Sequence, residues 1–186
     1  MADRGESPSR PQRSGRSKAI EEVAASYFEA VAARDPEAMA AHWHADGVGD
    51  LVPVGILRGP AAVQSFFSEL FTAVPDAEFL VTGMTVDLHG AAVQWRLTGT
   101  FDGGAFQGVD PTGHSLELRG CDCLEVDEDG KLTRNTAYYD GATFARQVGM
   151  LPPQDSGADR AMRAAFNTVT RLRSAVAQRT QGGKAT

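Results

Sequence analysis

Two segments of the chain, 91–101 (AAVQWRLTGTF) and 114–126 (HSLELRGCDCLEV), alternate apolar and polar residues along almost their whole length. A period of two belongs to strands with one buried face. In the first segment Val93, Trp95, Leu97 and Phe101 share one face, and Gln94, Arg96, Thr98 and Thr100 share the other. In the second, Leu116, Leu118, Asp122, Leu124 and Val126 have one parity, and Glu117, Arg119, Cys121, Cys123 and Glu125 have the other. Any fold built on these strands must therefore bury one carboxylate, Asp122, among leucines and valines, unless a bulge near Gly120 shifts the parity.

The rest of the chain supplies partners for this pair. Ile20, Val23, Ala24, Tyr27 and Val31 recur at helical spacing and predict a first helix from about 18 to 34. Asp35-Pro36 reads as an N-cap with proline at the first helical position, opening a short helix to about 44. Residues 50–57 are extended and broken by Pro53. Gly59-Pro60 opens a third helix carrying Val63, Phe66, Phe67, Leu70 and Phe71 on its apolar face. Strands follow at 77–88, 91–102, 105–109 running on to 114–126, and 131–139, separated by Gly-containing turns. A short helix at 143–148, a Pro-Pro linker and an amphipathic helix at 159–179 end the chain. The stripe of that last helix is Met162, Phe166, Val169, Leu172 and Val176. Helices followed by consecutive hairpin-linked strands predict an α+β fold rather than a parallel doubly wound sheet.

Charge is unevenly placed. Residues 1–18 hold five basic and two acidic side chains, and residues 151–186 hold six and two, while 19–150 hold seven basic and twenty acidic. A central segment of net −13 would repel phosphate backbones, so nucleic-acid binding is not expected. No apolar run approaches the length of a membrane span, and no secretory leader is visible, so a cytoplasmic protein without membrane association is expected. Residues 1–17, rich in Ser, Arg, Pro and Gly, are expected to form a disordered basic tail.

Few residues carry chemistry. A buried, unpaired carboxylate costs several kcal/mol or is held neutral, so Asp122 is either a structural group bonded to a backbone or tyrosine partner, or an acid/base poised near neutral pH. Trp95 is either core or the wall of an apolar cavity. Tyr27, on the apolar stripe of helix one, either reaches solvent or needs a buried partner. Of Tyr138 and Tyr139, parity with Asn135 and Ala137 turns Tyr139 inward. His42 and His44 lie two apart on a helix, about 200° from each other, and cannot ligate one ion together. One of them is expected to face the core or cavity and the other water; no metal site is expected. Cys121 and Cys123 read as packed thiols.

Residues 20–152 resemble the nuclear transport factor 2-like superfamily. The resemblance rests on helix one followed by ARDPEAMAAHWHADGV. GVDPTGHSLELRGCDCLEVDEDGKL and YYDGATFARQVGMLP resemble its SnoaL-like polyketide cyclase branch. This implies a cone-shaped, curved antiparallel sheet wrapped by N-terminal helices (a cystatin-like roll) around an apolar pocket. The expected domain spans 18–152, followed at 153–186 by a linker and the amphipathic helix, which would cover the pocket mouth or mediate association. The resemblance assigns Asp122 as acid/base and Tyr27 as its hydrogen-bonding partner. It makes Trp95, Asn135 and Tyr139 pocket positions, which His42, Phe67 and Leu97 would extend. The related isomerases' base falls at Val52, so their double-bond isomerisation is not expected. The implied activity is cofactor-independent, aldol-type ring closure of a hydrophobic carbonyl compound such as an aromatic polyketide, by a homodimer. The alternatives are a non-catalytic ligand-binding or dimeric interaction module, and an epoxide hydrolase, whose Asp–Arg–Asp set is not visible around Arg96.

Overall fold

The computed structural model describes residues 10–182. Helices α1 (Arg10–Ala32), α2 (Pro36–Ala41) and α3 (Gly59–Ala73) precede or interrupt a six-stranded sheet. The strands are β1 (Trp43–Leu51), β2 (Gly55–Arg58), β3 (Glu78–Val86), β4 (Gly90–Phe101), β5 (His114–Val126) and β6 (Leu132–Tyr139). Helices α4 (Gly141–Gln147) and α5 (Gly157–Gly182) follow. The sheet order is β2-β1-β6-β5-β4-β3. The sheet is curved and does not close, and register shifts in β1·β6, β3·β4 and β5·β6 bend it. The predicted α+β class and curved sheet are what is found.

The long strands pair as their alternation requires. β4 and β5 run antiparallel without a break from Gly90↔Glu125 to Phe101↔His114. There is no bulge at Gly120, so Asp122 keeps the parity of Leu116 and Leu118 and faces the core. Onto that face pack α1, through Ile20, Ala24, Tyr27, Phe28 and Val31, and α3, through Val63, Phe66 and Leu70.

Several expectations are corrected. The sheet has one parallel junction, β1 with β6. Helix α2 stops at Ala41 rather than 44 because β6 captures the chain there: Leu132 N donates to His42 O at 2.9 Å. Helix α1 begins at Arg10, so 10–17, expected to be disordered, are helical, while 1–9 lie outside the described residues. Arg16 accounts for the extra turns, donating to the carbonyls of Val126 and Asp127 at 2.5 and 2.8 Å. The expected strand at 105–109 is a loop closed by one bridge, Phe106↔Val109, with Gln107 (φ 50°) and Gly108 (φ 76°) at its tip. The Cys121 thiol is half-buried and Cys123 is exposed, both on the outer sheet face. Met162, Phe166, Val169 and Leu172 of α5 are exposed and cover no pocket; Val176 lies outside the residues whose side chains are described.

Candidate active site

The concave face of the sheet and the two long N-terminal helices leave an apolar cavity of about 70 Å³. Its wall is largely aromatic: Phe66 and Phe67 come from α3, Phe79 from β3, Trp95 from β4, Phe106 from the β4–β5 loop and Phe144 from α4. Phe106 packs edge-on against Phe66 at 5.5 Å and Phe144 at 6.0 Å between ring centroids. The tip of its loop is tied down by Glu69, whose carboxylate accepts from Gln107 N at 2.7 Å and Nε2 at 3.1 Å.

One end of the cavity is polar. Asp122, 7% exposed, accepts from Trp95 Nε1 at 2.7 Å through Oδ1 and from Asn135 Nδ2 at 2.6 Å through Oδ2. Strand register explains both bonds. Val93 is the β4 partner of Asp122, and Trp95, two residues on, sits across from Gly120. Its indole covers Gly120, where an added Cβ would stand 2.2 Å from Trp95 Cζ2. Only glycine lets the ring lie there and turn its N–H toward the carboxylate. On the other side Asp122 pairs with Ala137, which leaves Asn135 diagonal to it on the same face.

Burial pushes the Asp122 carboxyl up to about 6, and the bonds from Asn135 and Trp95 hold it from rising further. At neutral pH it is mainly a carboxylate, yet easily protonated. That suits a group which must first accept and then return a proton. Tyr27, 1% exposed, projects from α1 toward the same place. Burial, and then the Asp122 charge, raise its hydroxyl well above the ordinary tyrosine value, so it stays a donor. The Trp43 indole N–H and the Asn135 amide approach its oxygen, but no hydrogen bond forms: Tyr27 Oη, Trp43 Nε1 and Asn135 Oδ1 are all buried without a partner.

Of the residues predicted for the site, Asp122, Tyr27, Trp95, Asn135, Tyr139, Phe67 and Leu97 line the cavity together. Tyr139 is half-buried, 6.3 Å from Trp95 between centroids, while Tyr138 is 52% exposed. His42 is the exception. It caps α2, its Nδ1 lies 2.8 Å from Ala38 O and its Nε2 3.0 Å from Ser26 Oγ, and it is not part of the cavity wall. With α2 one turn shorter than expected, the inward position passes to Trp43, which the sequence reading missed. The signal was present: Trp43 is the large apolar residue between two histidines. Phe106 and Phe144 were also missed, because neither belongs to a periodic segment. Asp50 lies outside the cavity, 3.7 Å from Arg134 Nη1, and Arg96 is on the outer face, 3.2 Å from Glu117. No arginine is among the described residues that line the cavity.

Residues 24–135 match the family model of the SnoaL-like domain. No curated protein is significantly similar to the chain. Solved structures share its fold. One, from Jannaschia sp. CCS1 and named for SnoaL-like polyketide cyclases, is 20% identical with a TM-score of 0.66; the match covers 80% of this chain and 100% of that one. A Catenulispora acidiphila protein of ketosteroid isomerase-like fold, solved with trimethylamine, is 15% identical with a TM-score of 0.59 over 71% of this chain and 98% of that one. SalBIII, described as an epoxide hydrolase/cyclase-like enzyme in pyran ring formation of the polyether salinomycin, is 18% identical. Its TM-score is 0.57, over 68% of this chain and 94% of that one.

Proposed function

The chain belongs to the SnoaL-like domain family, and from that premise we propose that it is a cofactor-independent acid/base enzyme acting on a hydrophobic carbonyl compound, with Asp122 as the proton-transfer group. The observation that carries this reading is the isolation of Asp122. Among the described residues it is the one carboxylate lining a mostly apolar cavity, held by two donors and tuned to about 6. Its carboxylate removes a proton from the carbon next to a carbonyl. The enolate oxygen is stabilised by the Tyr27 hydroxyl. In ring closure the enolate carbon attacks a second carbonyl of the same molecule, forming the carbon–carbon bond. The resulting alkoxide takes the proton back from Asp122, so the enzyme returns unchanged. Confining both reacting carbons supplies much of the rate. Trp95, Tyr139, Phe67 and Leu97 hold the ligand by burial and stacking.

The proton-abstraction half-reaction can be tested without knowing the substrate. In D2O the wild type is expected to accelerate exchange of the α-protons of cyclohexanone or α-tetralone, followed by NMR. Asp122→Asn should lose roughly a hundredfold or more of that acceleration. Equal exchange by the variant would remove the proposed role. A second reading, a non-catalytic interaction module of the same fold, is favoured by how far side chains fill the cavity: about 70 Å³ stays open, against the roughly 150 Å³ void that admits benzene. The absence of both exchange and binding of any ring ligand would select it. The absence of an arginine from the described lining argues against epoxide hydrolysis by an Asp–Arg–Asp set. Homodimerisation through the outer sheet face belongs to the same proposal, and sedimentation equilibrium tests it. Among the described residues no helix is long and apolar enough to cross a membrane.

A further inference from the structure

Among the described residues only four buried side-chain nitrogen or oxygen atoms lack a hydrogen-bond partner, and three of them belong to residues lining this one cavity: Tyr27 Oη, Trp43 Nε1 and Asn135 Oδ1. The three residues are 1%, 5% and 5% exposed. Folded proteins leave few such groups, since each costs on the order of 1–3 kcal/mol. Trp43 and Asn135 approach Tyr27 Oη without reaching hydrogen-bond geometry, which leaves all three open to an occupant. Their chemistry says what kind. An indole N–H only donates, and the Tyr27 hydroxyl can donate beside it. The Asn135 amide is oriented by Asp122: a carboxylate accepts only from the NH2 end, so Oδ1 is the end left over, and it only accepts.

We propose that Trp43 and Tyr27 donate together to one oxygen of the bound ligand, and that Asn135 Oδ1 accepts from a hydroxyl beside it. The ligand class is a hydroxylated ring or enol that presents an acceptor oxygen and a neighbouring O–H to the inner end of the cavity. Trp43 is then a ligand-binding residue. The inference rests on the proposed function in one respect: the oxygen held by Trp43 and Tyr27 is the one on which charge develops when Asp122 takes the proton.

Calorimetric titration of three one-ring probes tests this: resorcinol (two hydroxyls), phenol (one) and toluene (none). In the wild type affinity should fall in that order. Trp43→Phe keeps an aromatic ring but removes the N–H, and Tyr27→Phe removes only the hydroxyl. Each should weaken phenol and resorcinol roughly three- to tenfold, the worth of one hydrogen bond, and leave toluene unchanged. Unchanged toluene binding also shows that the cavity is intact; if Trp43→Phe fails to fold, Tyr27→Phe with the wild-type series decides alone. Phenol binding no tighter than toluene, or indifferent to both substitutions, overturns the proposal and leaves the three atoms to water. The exchange assay separates the two claims. Loss of exchange in Asp122→Asn with no probe discrimination would sink only the role of Trp43. Probe discrimination without exchange would sink only the catalytic reading.

Discussion

Asp122 sits between two opposing influences, burial that favours its acid form and two donors that favour its carboxylate. Because its carboxyl is raised from 3.8 to about 6 in the folded protein, the folded chain binds one proton more than the unfolded chain between those values. Stability from this group is therefore present below about pH 4 and lost as pH rises through 6, by about 3 kcal/mol. Urea unfolding of wild type and Asp122→Asn at pH 4 and pH 7 should show the wild type losing that amount relative to the variant. No relative change would mean an ordinary carboxylate. Catalysis runs the other way: activity should rise with pH along a limb near 6 as the base forms, and that limb should vanish in Asp122→Asn. Gly120→Ala should displace the Trp95 ring, costing roughly 1–3 kcal/mol by overpacking and shifting Trp emission; an unmoved spectrum would refute the close packing of indole on glycine. Asp122 was legible in the sequence because strand parity is a strict rule and no bulge broke it. Trp43 was not legible, because its inward aim depends on where β6 stops α2, a contact 89 positions away along the chain.

Elements with a regular period were predicted nearly to their ends, and those without one were not. β4 and β5 follow their alternation, and α3 its apolar stripe. β1 was missed in its first half because His44, Ala45, Asp46 and Gly47 have no alternation and the strand is bulged between Trp43 and Val48. The 105–109 segment read as strand for its apolar ends, but Gln107 and Gly108 turn it back on itself and deliver Phe106 to the cavity. Phe106→Ala should cost roughly 3–5 kcal/mol in urea unfolding and strengthen toluene binding by enlarging the void; unchanged stability would show that the ring is not seated. At the other end of the domain, Arg16→Ala should leave global stability within about 1 kcal/mol while residues near 14–18 lose amide-exchange protection. Retained protection would show that the first turns of α1 stand without their anchor on β5.

Across the whole molecule, burial divides the chain unequally. The side-chain contacts of Asp155, Ser156, Asp159, Arg160 and Arg163 are made with one another, and the stripe of α5 stays exposed. Ending the chain after Ser156 is therefore expected to leave unfolding of the rest within about 0.5 kcal/mol; a larger loss would show that α5 supports the domain. The parallel junction has a different kind of consequence, one of time. β1 can find its β2 hairpin partner as soon as both are made, but its other edge waits for β6, the last strand of the sheet. Tyr27 and Trp43 come early, and Asn135 comes late. The inner end of the cavity thus cannot exist in any shorter nascent chain, and the step that joins the first strand to the last must search across most of the domain's length. Such non-local closure is slow. Until it happens β1 keeps an open edge, the hazard through which strands of unfinished chains find the wrong partner.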